Sequence, residues 1–146
     1  MRSAPVAVDD LRPPFTDETA PAKVQAIEDV FNTRDPDRVA DACTEDSDWR
    51  DRKAFVRGRG EIRAFLAGKW ERERDYRLSA SMWTFGEDSI ALRFAYESRD
   101  ATGRWWRSHG YELWRFDAAG LLALRYATVA DARVDAAELR IARPAG

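Results

Sequence analysis

The chain has 146 residues, the size of one domain, and 45% of them are hydrophobic, enough to build a single core. Its 24 basic and 26 acidic side chains nearly cancel, leaving a net charge of −2 and a pI near 5.5. With six Trp, four Tyr and seven Phe, this composition excludes a disordered chain, and the basic surface that non-specific nucleic-acid binding needs is absent.

Residues 1–14 carry Pro5, Pro13 and Pro14 without periodicity and read as a flexible arm. Met1 to Leu11 has one Arg and no apolar stretch, so no signal peptide is expected. A helix follows, capped by Thr16 or Thr19. Pro21 suits the first turn of a helix and favours Thr19. Ala20, Val24, Ile27 and Phe31 recur at helical spacing and form one apolar face. Asp35-Pro36 is a second start signal, with Asp35 as N-cap and Pro36 at the first helical position. Val39, Ala42 and Cys43 give this short helix its buried side. A short strand is expected at Asp48–Arg52, ending in a turn near Gly58. From Gly60 to Arg74, Ile62, Phe65, Leu66 and Trp70 mark a third amphipathic helix.

From Tyr76 to Asp131 the chain reads as four long strands. Turn signals at Gly86-Glu87-Asp88, Asp100-Ala101-Thr102-Gly103 and Asp117-Ala118-Ala119-Gly120 separate them. Links this short imply antiparallel neighbours. Residues 132–146 read as a polar tail with a helical turn around Asp135–Ile141. Helices followed by a bent antiparallel sheet give an α+β fold: helices packed on a curved, mostly antiparallel sheet that encloses a conical pocket.

No apolar run approaches the roughly 18–20 residues of a membrane span. One cysteine, Cys43, excludes an internal disulfide, and one histidine, His109, excludes a histidine-rich zinc site. There is no glycine-rich phosphate loop and no G-x-S-x-G elbow. The expectation is a cytoplasmic, metal-free and cofactor-free domain.

The order helix–helix–strand–helix–four strands resembles the NTF2-like superfamily, which includes SnoaL-like cyclases, ketosteroid isomerases and scytalone dehydratases. More narrowly, the segments RPPFTDETAPAKVQAIEDVFNTRDPDRVA, TEDSDWRDR, GKWERERDYRL, RFAYE and WWRSHGYELWRF, with the final Asp131, resemble DUF1348, a bacterial family of uncharacterised function. The resemblance covers about residues 12–131 and implies a domain over 15–131. It is specific for the family and weak for the activity, because the fold hosts many chemistries. The family pattern W-R-N-R is Trp49-Arg50-Asp51-Arg52 here. Its R-S-Y-G-N-E-N-W is Arg107 to Trp114, and its I-A-S-I-N-D is Tyr126 to Asp131. Asp51, His109, Tyr111, Leu113 and Tyr126 therefore look particular to this chain.

His109 is the chain's one imidazole, the side-chain type used most often for proton transfer, and Tyr111 leaves the same strand face roughly 7 Å away. Such a pair could move a proton and orient a substrate oxygen; the alternative is a structural or surface histidine. Asp51, if it enters the cone with Trp49 while Arg50 and Arg52 face away, could be a second base. Otherwise it is an exposed ion-pair partner. Arg93, Glu97, Arg107 and Glu112 read as cross-strand ion pairs or as a polar pocket floor. Asp131 could orient His109 or an arginine. Trp49, Phe55, Trp83 and Leu113 are expected to shape the pocket wall, with Tyr126 donating to a substrate oxygen.

The resemblance then implies a cofactor-independent enzyme that cyclises, dehydrates or isomerises a small cyclic or polyketide-like metabolite. Two alternatives stand beside it. One is water activation toward an epoxide, needing Asp51, an arginine and Asp131 to converge. The other is a small-molecule-binding or dimerisation module. A homodimer through the sheet face is expected, with no nucleic-acid or membrane partner.

Overall fold

The computed structural model describes residues 11–142. The first helix, α1 (Thr19–Asn32), buries Ala20, Val24, Ile27 and Phe31 as the spacing demands. Glu18 holds the N-cap position without a side-chain bond, so the expected Thr19 cap is corrected. Thr16 Oγ1 instead accepts the N–H groups of Glu18 (3.2 Å) and Thr19 (3.0 Å) just ahead of the helix. In α2 (Pro36–Asp41), Asp35 Oδ1 accepts the Asp37 N–H at 3.0 Å, with Pro36 in the first helical position. Most of the arm expected over 1–14 lies outside the described residues. Leu11, within it, is buried.

The first strand, β1, runs from Cys43 to Asp51, longer than the Asp48–Arg52 expected. Its early residues Glu45 and Asp46 are exposed, and its register slips between Cys43 and Asp48, which erased the alternation. A further strand, β2 (Ala54–Arg57), folds back on it antiparallel through a turn at Arg52-Lys53. Arg52 takes the left-handed conformation there (φ 57°). The third helix, α3, spans Gly58–Arg72, two residues ahead of the expected span at both ends.

Four strands complete the chain: β3 (Arg74–Phe85), β4 (Ser89–Arg99), β5 (Trp105–Phe116) and β6 (Leu122–Val134). They form an antiparallel meander, as the short turns required. The single six-stranded sheet has the order β2-β1-β6-β5-β4-β3, and only β1 and β6 pair in parallel. The result is an α+β fold with a curved, unclosed sheet. Side chains of α1 satisfy the edge strand β3. Asn32 exchanges two hydrogen bonds with the Leu78 backbone (2.7 and 3.0 Å), and Glu28 Oε1 accepts the Ala80 N–H at 2.7 Å.

The sheet's two faces differ sharply. Ile90, Leu92, Phe94 and Tyr96 of β4 are buried, as are Ser108, Glu112, Trp114 and Phe116 of β5. This inner face meets the helices. Gly110 shares it, and a Cβ there would lie 1.8 Å from the Thr128 carbonyl oxygen, so the close approach of β6 requires glycine. On the outer face Glu97 is completely buried. It pairs with Arg107 (2.7 Å) and accepts the backbone N–H groups of Arg140 (3.0 Å) and Ile141 (2.9 Å). The polar tail expected from residue 132 begins as three further residues of β6, forms a 3-10 turn at Ala136–Glu138 within the helical turn expected there, and then lays Arg140 and Ile141 on Glu97.

Candidate functional site

Parity along β5 decides which groups can share a site. The buried positions are Ser108, Glu112, Trp114 and Phe116, so His109, Tyr111 and Leu113 point the other way, outward. Tyr111 is 52% exposed and Leu113 42%. The inward imidazole and phenol expected from the sequence are corrected accordingly: one strand face cannot hold both sets. His109 sits in a shallow outer groove with Ser79, Ser81 and Arg93. Trp83, 67% exposed, packs on Tyr111 with ring centroids 5.4 Å apart. Phe55 is also exposed, and Arg50 lies over its ring and that of Tyr126. Tyr126 donates to Asp48 Oδ2 at 2.8 Å. Arg93, Phe55, Trp83, Leu113 and Tyr126 thus belong to the outer face and not to an inner pocket wall.

Trp49 and Asp51 do point inward, as strand alternation predicted. Trp49 is fully buried, stacked on Phe31 (6.0 Å), and is core. Asp51 lines a cleft of about 620 Å³, within the size range of small-molecule sites. One wall is the β1–β2 turn, Asp51 to Ala54. The other is the C-terminal half of α3, with Phe65, Lys69, Arg72 and Glu73, and Val129 of β6 closes the side. A second, smaller cleft adjoins it and shares Arg52, Arg72 and Glu73.

Behind Asp51 stands Arg125, buried and projecting from β6. Its Nη1 donates to Asp51 Oδ2 at 3.1 Å, and its Nε lies 2.5 Å from Glu112 Oε1 as an off-axis ion contact. The guanidinium also covers the rings of Trp49 (4.8 Å) and Phe31 (5.5 Å). Burial opposes the charge on Arg125, but Glu112 and Asp51 outweigh it and hold the group protonated. Burial pushes the Glu112 carboxyl up, with Arg125 pulling against it. The cluster thus sets one cation against two carboxylates in the core. Asp51 Oδ1 accepts no hydrogen bond among the described residues, and Arg52 Nε lies 3.9 Å from it.

Arg52 was expected to face away with Arg50. Its left-handed backbone turns it inward instead, and it lines both clefts. It donates to both Asp131 oxygens (2.6 and 2.8 Å) and to the Tyr96 hydroxyl (3.2 Å). Ser108 Oγ donates to the same Asp131 at 2.5 Å. Hydrogen bonding from Arg52 holds the Asp131 carboxyl below the usual carboxylate range. Asp131 therefore orients an arginine and not His109, which lies on the opposite face. Lys69 Nζ sits 3.1 Å from Glu73 and over the Tyr96 ring at 4.0 Å. Burial raises the Tyr96 phenol and Lys69 opposes the rise.

Arg52, Lys69, Arg72 and Arg125 were not among the residues expected to carry the site, and Glu112 was weighed only as an ion pair or pocket floor. The parity of Trp114 and Phe116 carried the missing signal. A carboxylate at 112 on that apolar parity has to be buried, and so requires a buried cation.

In the described residues no helix is long and apolar enough to cross a membrane. No curated protein matches the chain. Solved structures do. An epoxide hydrolase/cyclase-like enzyme, SalBIII, of pyran ring formation in the polyether salinomycin is 15% identical, with a TM-score of 0.67 over 74% of this chain and 88% of that one. An NTF2-like protein of unknown function from Exiguobacterium sp. 255-15 is 15% identical, with a TM-score of 0.65 over 74% and 98%. The Δ5-3-ketosteroid isomerase of Mycobacterium sp. is 16% identical, with a TM-score of 0.63 over 75% and 98%. At these identities the likeness shows the NTF2-like fold alone. The model of the family described as protein of unknown function (DUF1348) matches residues 13–142, so the chain belongs to the DUF1348 family.

Proposed function

We propose that the protein is a cofactor-independent, SnoaL-like acid–base enzyme. It cyclises, dehydrates or isomerises a small cyclic or polyketide-like metabolite held in the cleft between α3 and the sheet. The observation that carries this reading is Asp51: one oxygen is fixed by Arg125, and the other is left for the contents of the cleft. A carboxylate so oriented is a general base with little reorganisation left to pay. Arg52, held by Asp131 and by the buried Tyr96 hydroxyl, lines the cleft and can donate to a substrate oxygen, the role first expected of Tyr111 and Tyr126. Lys69, on the opposite wall, supplies positive charge for a developing enolate. The names of the cyclase-like and isomerase neighbours agree with chemistry of this kind.

The test is proton exchange. A panel of cyclic ketones and 1,3-diketones is incubated with the protein in D2O and followed by NMR. At least one should exchange its α-protons faster than in buffer, and Asp51→Asn should abolish the excess. Exchange unchanged by that substitution would take the chemistry away from Asp51, and binding without any exchange would leave a binding module in place of an enzyme.

A specific geometry favours a second reading. Arg52 stands between Asp51 (3.9 Å) and Asp131 (2.6 Å), the convergence that water activation toward an epoxide requires. Incorporation of oxygen from labelled water into a diol would select it over cyclisation. The proposal keeps a cytoplasmic enzyme that pairs as a homodimer through the outer face, where Trp83, Tyr111 and Leu113 are exposed. Sedimentation of wild type against Trp83→Glu tests the pairing.

A further inference from the structure

The walls of the main cleft carry four cations, Arg52, Lys53, Lys69 and Arg72, against two carboxylates, Asp51 and Glu73. Four of these six charges have identified opposites. Asp51 is matched by Arg125 behind it, Glu73 by Lys69, and Arg52 by Asp131. Arg72 and Lys53 remain, and neither forms an ion pair among the described residues. They lie on opposite walls, Lys53 on the β1–β2 turn and Arg72 at the end of α3. Arg72 is also held back along its own helix. A Cβ on Gly68 would sit 3.1 Å from Arg72 Nη1, so glycine leaves room for the guanidinium to lie there.

Arg72 lines the adjoining cleft too. Of the anions there, Asp131 is engaged by Arg52 and Ser108, and Asp100 by Thr102 (2.6 Å) and Trp106 (2.9 Å). Deeper on the main cleft's walls, Phe65, Ala54 and Val129 are apolar. The site therefore has a wall suited to a hydrocarbon body and a cationic rim with a guanidinium not yet engaged. A planar guanidinium matches a carboxylate with two parallel hydrogen bonds.

We propose that the natural ligand is an organic acid: an apolar body enters beside Phe65 and Val129, and its carboxylate is bound at the rim by Arg72 with Lys53 opposite. This deepens the acid–base reading and rests on it for the identity of the cleft. With the reacting carbon toward Asp51, the carboxylate would lie at the rim end of the molecule, away from the base. Arg72 is then a specificity-determining residue.

Two probes of one shape separate the claims: 2-naphthoate and its neutral isostere 2-naphthamide, titrated into the full chain by calorimetry. The acid should bind about tenfold tighter than the amide, the size of one charge-assisted contact. Arg72→Gln should remove that advantage and leave amide binding unchanged, and Arg72→Lys should restore part of it. The advantage should shrink as salt rises. Arg115→Gln, on the outer face, serves as the charge control and should keep the advantage. Equal binding of acid and amide, or an Arg72→Gln variant that keeps the preference, overturns the organic-acid proposal while leaving the cleft reading intact. Binding of neither probe overturns both.

Discussion

Replacing Arg125 by methionine removes the positive charge that contacts both Asp51 and Glu112 while keeping a long apolar stem against Trp49 and Phe31. A unit charge pair about 4 Å apart attracts by about 4 kcal/mol at an effective dielectric of roughly 20, and Arg125 makes two such contacts. Much of that attraction offsets the desolvation of three buried ions. Breaking a buried pair from one side nevertheless costs about 3–5 kcal/mol, because the partners stay buried without compensation. Against a typical stability of about 5–15 kcal/mol, the loss is large.

Glu112→Gln provides the contrast. It removes the excess negative charge and leaves a matched Asp51–Arg125 pair, so its cost should be about 1 kcal/mol or less near neutrality. The sign of its pH dependence follows from burial, which raises the Glu112 carboxyl above its unfolded value. The carboxyl's contribution is then fully present below the unfolded pKa and is lost as pH rises through the folded one. Glu112→Gln should therefore gain on wild type as pH rises from about 4 upward. Urea melts followed by far-UV circular dichroism across that range test both substitutions. An Arg125→Met variant as stable as wild type refutes this account of the cluster. So does a Glu112→Gln variant as damaged as Arg125→Met, or a gap from wild type that does not change with pH.

Other consequences follow from the same geometry. Burial pushes the Cys43 thiol up to about 12, so the native protein should resist a thiol-specific disulfide reagent at pH 8 and react fully only in denaturant. Arg52 depresses the Asp131 carboxyl, so its stabilisation is present above the unfolded value near 3.9 and is lost as pH falls through the folded one. With both partners over a third exposed, Asp131→Asn should cost about 1 kcal/mol or less at pH 7, and the difference from wild type should close on acid titration. Gly110→Ala drives a methyl into the Thr128 carbonyl. It should lower the melting temperature by more than Gly60→Ala, where nothing lies within 4 Å of the added atom.

Much of the architecture was legible because local signals agreed. Asp35-Pro36, the apolar stripe of α1 and the three turns between the last four strands each have a single physical solution. The β1–β2 hairpin was not legible. Its turn, Arg52-Lys53, carries none of the glycine or asparagine that usually marks one, and Arg52 takes the left-handed backbone against its own preference. That conformation also hid the inward path of Arg52. The face of β5 was readable but ambiguous, since each parity contains a tryptophan and polar groups. Trp114 and Phe116 near one end, with Arg107 and Arg115 on the opposite parity, decide it. His109 drew attention by its chemistry and not by its pattern. Asp51 was placed correctly because Trp49, two residues before it, has to be buried.

The central claim is that proton-transfer chemistry belongs to the inner carboxylate and not to the outer imidazole. Hydrogen–deuterium exchange of the best ketone in the panel, measured side by side for Asp51→Asn and His109→Ala, tests it most directly. Asp51→Asn should lose the catalysed exchange while His109→Ala retains it. Exchange that survives in Asp51→Asn and disappears in His109→Ala would contradict it.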